Sequence, residues 1–446
     1  VLVRASAIVA LVCAALGCSR ASSSPTETTS TISDASAVVV DASATASVAA
    51  APYNVVFITI DSMRADMPWA GYKRDVAPNL TALAARSTVY THAYSISSFT
   101  SKSVAGMLSG KYPSELARTG VFFTKYDSSN TFMCETLQKQ AIPCVAAEAH
   151  AYLKPGYAGL DQGFHSWKIV DGLTLDYQRD PYVTSQKMTP LAISLLQDPE
   201  VTAPLADGGT HPFFAWFHYM DPHDDYQSHE ESPHFGTRAR DLYDEEIFYT
   251  DLWIGKLLEF VNAQPWAKNT AIVVSADHGE FFGEHGRVKH AHELYEELIH
   301  VPLLVHLPNQ NESAHRVIDV PRSQIDLVPT FFDMMNATPT PDLDGVSLKD
   351  EWLGQTPADA RDILADLPQD EFDSRRRAVL HDGWKIIAHR NDEGFELFHL
   401  SEDPGEQNDV FNKDKENATR MLKLYRAASA KLKDVAPIGG VPTYDQ

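Results

Sequence analysis

The stretch Asn54-Val-Val-Phe-Ile-Thr-Ile60, closed at once by Asp61, decides the fold. A continuous apolar, β-branched run of this length suits a buried central strand of a parallel sheet. The pattern returns at Ala271-Ile-Val-Val-Ser-Ala276, which runs directly into Asp277-His278-Gly279-Glu280. It returns again at Pro212-Phe-Phe-Ala-Trp-Phe217, followed by His218-Tyr-Met-Asp221-Pro222-His223. Ligands of open α/β sheets gather outside the carboxyl ends of strands, so Asp61, Asp277 and His278 share a physical reason to converge. A strand-end aspartate taken alone is a turn former or helix cap. That reading weakens beside Glu284-His285-Gly286-Arg287-Val288-Lys289-His290-Ala291-His292, a loop whose three histidines point to a metal or anion site. Oxygen and imidazole donors suit manganese, zinc or a similar ion, whereas calcium takes more oxygen. His218 and His223 bracket Asp221 and a proline-fixed turn, a setting that favours function over plain packing.

Between the first two strands lies Ser95-Ile-Ser-Ser-Phe-Thr100-Ser101-Lys102-Ser103, leading into Val104-Ala-Gly-Met-Leu108-Ser109-Gly110. Thr100 can cap the helix that follows. The same position puts a hydroxyl where unpaired backbone N–H groups and the helix dipole favour an anion. Thr100 therefore reads either as a plain N-cap, among several serine alternatives, or as an attacking hydroxyl whose pKa a metal lowers.

The 446 residues carry 37 Lys and Arg against 60 Asp and Glu, a formal net charge of −23. That balance excludes a general nucleic-acid binder, since no cation excess is left to neutralise phosphates. It leaves room for one local cationic site. The start of the chain is different in kind. Residues 1–18 hold one Arg, an apolar run from Ala7 to Gly17 and then Cys18, the proportions of a signal peptide with a site for lipid attachment. Residues 19–50 lack any aromatic residue or Gly and read as a disordered Ser/Thr/Ala-rich tether. The expected location is the periplasm or cell envelope, with the membrane reached by a lipid anchor only. In such an oxidising compartment Cys134 and Cys144 can pair, although their spacing leaves this open.

The chain resembles the sulfatase branch of the alkaline phosphatase superfamily. The matching pieces are Asp61-Ser-Met-Arg64-Ala-Asp66, Thr100–Gly110 with Lys111-Tyr112-Pro113, His218–His223, Asp277–Glu280 and Gly283-Glu284-His285-Gly286. Leu294–Glu297 with Val301-Pro302-Leu303, Gln324–Pro329, Leu343–Gly345 and Glu396–Asn408 complete an ordered set over roughly residues 52–410. The resemblance implies an α/β sandwich with a large mixed central sheet flanked by helices and a small C-terminal antiparallel subdomain. The departures are as informative. Sulfatases with a formylglycine nucleophile carry Cys or Ser, then Pro and Arg two and four residues on. Here those positions hold Thr100, Lys102 and Val104, so no formylglycine is expected. Ser62 replaces a second acidic residue, and Glu148 stands where the family has a lysine, with His150 two residues on.

These changes resemble threonine-nucleophile relatives that use manganese or zinc on phosphoryl groups. Asp61, Thr100, Asp277 and His278 would hold a divalent metal, Mn or Zn rather than Ca. Thr100 would attack a small or medium anionic sulfate, phosphate or phosphonate ester to give a covalent intermediate. Lys102 and the helix N-terminus would meet the negative charge. His218 would protonate the leaving oxygen or orient the bound group, and His290 or His292 would contact the non-bridging oxygens or ligate a second metal. His150, His223 and Arg64 are expected to bind substrate. The alternatives are a phosphoglycerol- or phosphoethanolamine-type transferase, and a catalytically degenerate anion-binding protein on a surface anchor.

Elsewhere, 241–261 suits an amphipathic helix over the sheet, and 323–336 a helix with Pro329 marking a break or kink. Short strands at 378–380, 384–387 and 395–398 are assigned to a C-terminal subdomain over 374–446 that ends in a helix. The catalytic domain is then 51–373.

Overall fold

The computed structural model describes residues 51–176, 181–203, 211–223, 225–308 and 314–442. The signal peptide and tether expected over 1–18 and 19–50 lie outside them. Nine strands build the main sheet: Asn54–Ile60 (β1), Thr88–Tyr94 (β2), Cys144–Glu148 (β3), Ser166–Ile169 (β4), Phe214–Tyr219 (β5), Thr270–Ser275 (β6), His300–His306 (β7), Arg316–Ile318 (β8) and Arg322–Ser323 (β9). Their order is β8-β2-β7-β6-β1-β5-β3-β4, with β9 also paired to β2. β1 lies between β5 and β6 and is parallel to both, and β3 is parallel to β5. β7 runs antiparallel to β6 and β2, which makes the sheet mixed. The carboxyl ends of β1, β3, β5 and β6 therefore share one edge.

The main helices are Pro78–Ala84 (α1), Thr100–Ser109 (α2), Ser185–Leu196 (α3), Ala239–Asn262 (α4), Leu327–Met334 (α5) and Lys415–Ser429 (α6). Every residue of β1 is buried because both faces of the sheet are covered. Val55 and Phe57 face Val104 and Leu108 of α2 and Phe331 of α5. Val56, Ile58 and Ile60 face Leu80 of α1, Met188 of α3 and Ile254 of α4. That two-sided burial is why β1 reads as an unbroken apolar run.

Four local expectations need correction. Thr100 is the first residue of α2 and not its cap; Phe99, extended at φ −141 and ψ 131, occupies the cap position and supplies no side-chain bond. His218 lies inside β5 and not beyond it. The segment expected as one helix over 323–336 divides into a 3₁₀ turn at Gln324–Asp326 and α5. Pro329 falls in the first turn of α5, where a missing N–H costs no intrahelical bond. The C-terminal sheet begins ahead of residue 374, because Ile363–Leu367 (β10) joins Arg376–His381 (β11), Trp384–His389 (β12) and Gly394–His399 (β13) in an antiparallel order β10-β11-β12-β13.

One face of this smaller sheet packs Ile363, Ala378 and Ile387 against Tyr94, Phe99 and Leu298. The other packs Val379, Ile386 and Leu397 against Met421 and Tyr425 of α6. Cys134 and Cys144 form a disulfide with their Cα atoms 5.9 Å apart, pinning a short helix to the start of β3. Among the described residues no helix is long and apolar enough to cross a membrane.

Candidate active site

At the shared strand edge, Asp61 follows β1 and Asp277 and His278 follow β6, and all three are fully buried. One ligand atom from each lies within 4.8 Å of the others. The first turn of α2 brings in Thr100, which is 7% exposed. Its hydroxyl donates to Asp61 Oδ2 at 3.2 Å, and its Oγ1 stands 3.1 Å from His278 Nε2. The Nδ1 of His278 lies 3.0 Å from the Gly279 carbonyl. A proton on Nδ1 satisfies that carbonyl and leaves Nε2 with its lone pair toward Thr100.

The backbone around these groups is held on all sides. Ser62 sits at φ 58, a costly region for a non-glycine residue. Its N–H donates to Asp277 Oδ1, its hydroxyl to Asp61 Oδ1, and its carbonyl accepts from the Tyr243 hydroxyl. The hydroxyl that replaces a second acid thus orients the first one. Gly279 N–H bonds the Leu298 carbonyl at 2.8 Å, and a Cβ at Gly279 would lie 2.1 Å from the Glu297 carbonyl oxygen. Only glycine allows that approach. Gln324 donates to Ser275 Oγ and the Ala276 carbonyl, fixing the end of β6.

Electrostatics separates the two carboxylates. Burial works to raise Asp61, but His223, His218 and His278 around it outweigh that and hold it well below the usual range. Burial, and then the charge of Asp61, push Asp277 well above it. Asp277 Oδ2 is buried and takes no hydrogen bond, and His278 Nε2 faces it at 3.2 Å. An orphaned carboxylate oxygen beside a second carboxylate and an imidazole lone pair fits a divalent cation. Burial and neighbouring His290 push His278 down to about 3, so it is the neutral imidazole that such a cation needs.

The remaining expected site residues divide into two groups. His290, His223 and His150 line up beside the cluster: the His290 ring centroid is 4.3 Å from His278 and 5.0 Å from His223, and His223 is 5.8 Å from His150. His290 Nδ1 meets Glu280 Oε2 at 3.3 Å. His150 Nδ1 accepts from the Tyr152 N–H, and burial with His223 nearby pushes it down to about 3.

The other group is committed elsewhere. Lys102 is buried and donates to Asp370 at 2.5 Å, with its ammonium over the rings of Phe99 and Phe122. Its charge is neutralised by a carboxylate and not held open for an ester. His218 has Thr59 Oγ1 at 2.8 Å on Nδ1 and Asp61 Oδ2 at 3.3 Å on Nε2, so it orients Asp61 and has no nitrogen left for a leaving group. His292 meets Asp373 at 2.5 Å and stacks near Phe122. Arg64 pairs with Asp66 and Glu284.

Glu148 is the residue whose importance the sequence understated. It ends β3 in register with His218, is fully buried, and neither carboxylate oxygen has a hydrogen-bond partner. Burial, then the charge of Asp277, raise it well above the usual range. The usable signal was a carboxylate ending an apolar run, as at Asp61 and Asp277.

A family profile described as "Sulfatase" matches residues 53–337, and one described as "N-sulphoglucosamine sulphohydrolase, C-terminal" matches residues 283–432. An ulvan-active sulfatase of Formosa agariphila is 26% identical over 348 residues, covering 70% of this chain and 67% of that protein. An N-acetylglucosamine-6-O-sulfatase of Bacteroides thetaiotaomicron is 28% identical over 200 residues, covering 43% of this chain and 36% of that one. Among solved structures, the phosphonate monoester hydrolase of Agrobacterium radiobacter superposes with a TM-score of 0.69 at 16% identity, covering 86% of this chain and 96% of that chain. Ps i-CgsB in complex with k-i-k-neocarrahexaose gives 0.67 at 20% identity, covering 86% and 94%. Likeness at that identity concerns the fold.

Proposed function

Because the chain belongs to the sulfatase family, we propose that it is a metal-dependent hydrolase of sulfate, phosphate or phosphonate esters with Thr100 as nucleophile. The observation that carries this reading is Thr100 Oγ1 lying 3.2 Å from Asp61 Oδ2 and 3.1 Å from His278 Nε2, inside the Asp61–Asp277–His278 cluster. Those three side chains and Thr100 would hold the metal, and their imidazole donor favours zinc or manganese. The metal supplies a lowered hydroxyl pKa and positive charge for the ester oxygens.

With its hydroxyl pKa lowered, Thr100 Oγ1 would release its proton to solvent and attack phosphorus or sulfur, held in place by Asp61 Oδ2. The bond to the ester oxygen breaks, leaving a threonyl ester that water then cleaves to restore the hydroxyl. His218 and Ser62 fix Asp61 for this role. His290, aligned by Glu280, gives a proton to the departing oxygen and recovers one from the water that cleaves the threonyl ester, while His223 and His150 bind the non-bridging oxygens. The N-terminal end of α2 favours the same anion. Lys102 acts as a positioning residue, tying the first turn of α2 to Asp370. Export and tethering through Cys18 belong to the same reading, which the Cys134–Cys144 disulfide supports.

The test is Thr100→Ala assayed on an aryl sulfate, a phosphate monoester, a phosphate diester and a phosphonate. Turnover should fall by at least about a thousandfold on whichever esters the wild type cleaves, with metal content and folding kept. Unchanged turnover removes Thr100 from the mechanism. A second reading, an anion-binding protein without turnover, draws on unmodified Thr100 beside Val104, which stands where formylglycine sulfatases carry an arginine. Tight sulfate binding with no turnover on the whole panel is its signature.

A further inference from the structure

Away from Thr100 the structure gathers a second set of donors. His285, Glu297 and Glu406 each bring one ligand atom to within 4.8 Å of the others. They come from three places: the loop after β6, the one-turn helix Glu296–Ile299 and the segment after β13. His285 Nε2 faces Glu297 Oε2 at 3.4 Å, and neither atom takes a hydrogen bond. The Glu297 side chain is 9% exposed and that of Glu406 is fully buried. His285 adopts φ 54, unfavourable for a residue with a Cβ. Its ring is stacked on Tyr295 with centroids 3.9 Å apart and planes 7° from parallel, which fixes the imidazole in place.

The charge count points the same way. Glu296, Glu297 and Glu406 face a single ammonium, Lys385, which reaches Glu296 and Glu406 at 3.0 Å each. Arg64 is nearby but committed to Asp66 and Glu284, and Glu396 is taken by His389 and Tyr295. His300 stands 3.7 Å from Glu296. Lys385 reaches Glu296 and Glu406, while the Glu297 carboxylate faces the His285 imidazole, and a buried carboxylate left without a cation is costly.

We infer that His285, Glu297 and Glu406 form a second divalent-cation site, distinct from the Thr100 cluster and suited by its imidazole to zinc or manganese. A cation there clamps the segment after β13 onto the loop that carries Asp277 and His278. The coupling runs through the Glu297 carbonyl, which accepts the Glu280 N–H at 3.1 Å. A cleft of about 170 Å³ whose lining includes Arg64, Asp66, Glu296, His300 and Pro404 reaches Glu297.

The inference does not depend on the chemistry of Thr100, and its test reads metal binding alone. The full chain, stripped with a chelator, is titrated calorimetrically with zinc chloride. Glu297→Gln should bind one equivalent fewer than the wild type. Asp277→Ala, which removes a ligand from the other cluster, should still bind one equivalent and melt at a higher temperature with zinc than without. His285→Asn in that background should cancel both effects; it also stands in for Glu297→Gln if circular dichroism shows that variant unfolded. Equal stoichiometry in the wild type and Glu297→Gln overturns the inference, as does an Asp277→Ala protein whose melting temperature ignores zinc.

Discussion

The Thr100 cluster and the Lys385 cluster both bury several carboxylates, yet they meet that charge in opposite ways. Around Lys385 an ammonium sits between Glu296 and Glu406, and burial lowers its pKa less than the two carboxylates raise it. Around Thr100 the neighbours of Asp61 and Asp277 are imidazoles, with burial holding His278 and His150 down to about 3. The nearest lysine in the sequence, Lys102, is turned away onto Asp370. A fixed ammonium joins Glu296 and Glu406 and leaves Glu297 beside His285 to the second cation inferred above, whereas around Thr100 neutral imidazoles leave both carboxylates to an incoming cation.

The largest effect should come from breaking the joint. Lys385→Met leaves Glu296 and Glu406 without their counter-ion and should cost about 3–5 kcal/mol of stability, read from urea unfolding. Asp277→Asn should do the reverse at the other cluster. Removing one of two repelling buried carboxylates should leave the metal-free melting temperature unchanged or higher, while turnover falls by at least about a hundredfold, more than a lost outer contact to a metal costs. A marked loss of stability in Asp277→Asn would break the comparison.

Lys102 offers a sharper case. Lys102→Met strands Asp370, so the single variant loses stability; adding Asp370→Asn should recover most of it. In that double variant KM should stay within about twofold of the wild type. A large rise in KM would place the Lys102 ammonium on the ester after all.

The smallest effect concerns acid. Folded His150 is pushed down to about 3 from an ordinary value of 6.5. Between those values the unfolded chain binds a proton that the folded chain does not, so stability falls as pH drops from 6.5 toward 3. His150→Gln should flatten the dependence of melting temperature on pH across that window. His278 keeps its own share, so the slope should not vanish.

The sequence made the strands and their end residues legible because each apolar run stops directly at a ligand type. Once β1, β5 and β6 are parallel neighbours, Asp61, His218 and Asp277 must share an edge. Pairings between distant segments were not legible. Lys102 and Asp370 are 268 positions apart, and neither position shows that a buried partner will claim the lysine. His218 looked like an acid because nothing local announces Thr59 beneath one nitrogen and Asp61 beside the other. β10 is not legible because Ile-Leu-Ala-Asp-Leu has no alternation to mark it; its buried Asp366 is met by Arg377 at 2.8 Å and by the N–H and hydroxyl of Ser114.

The parallel arrangement of β1, β3, β5 and β6 also makes the site modular. Ser62, Glu148 and His218 each ride on a different strand, and Thr100 on a helix of its own, so each contributes through a separate backbone segment. A substitution at one of them can change what the pocket recognises while the register of the sheet stays as it is. The positions at which this chain differs from the formylglycine pattern fall on three such supports: Ser62 after β1, Thr100, Lys102 and Val104 on α2, and Glu148 on β3. Chemistry on this scaffold can therefore drift one support at a time, and only Val104, packed under β1, carries such a change into the core.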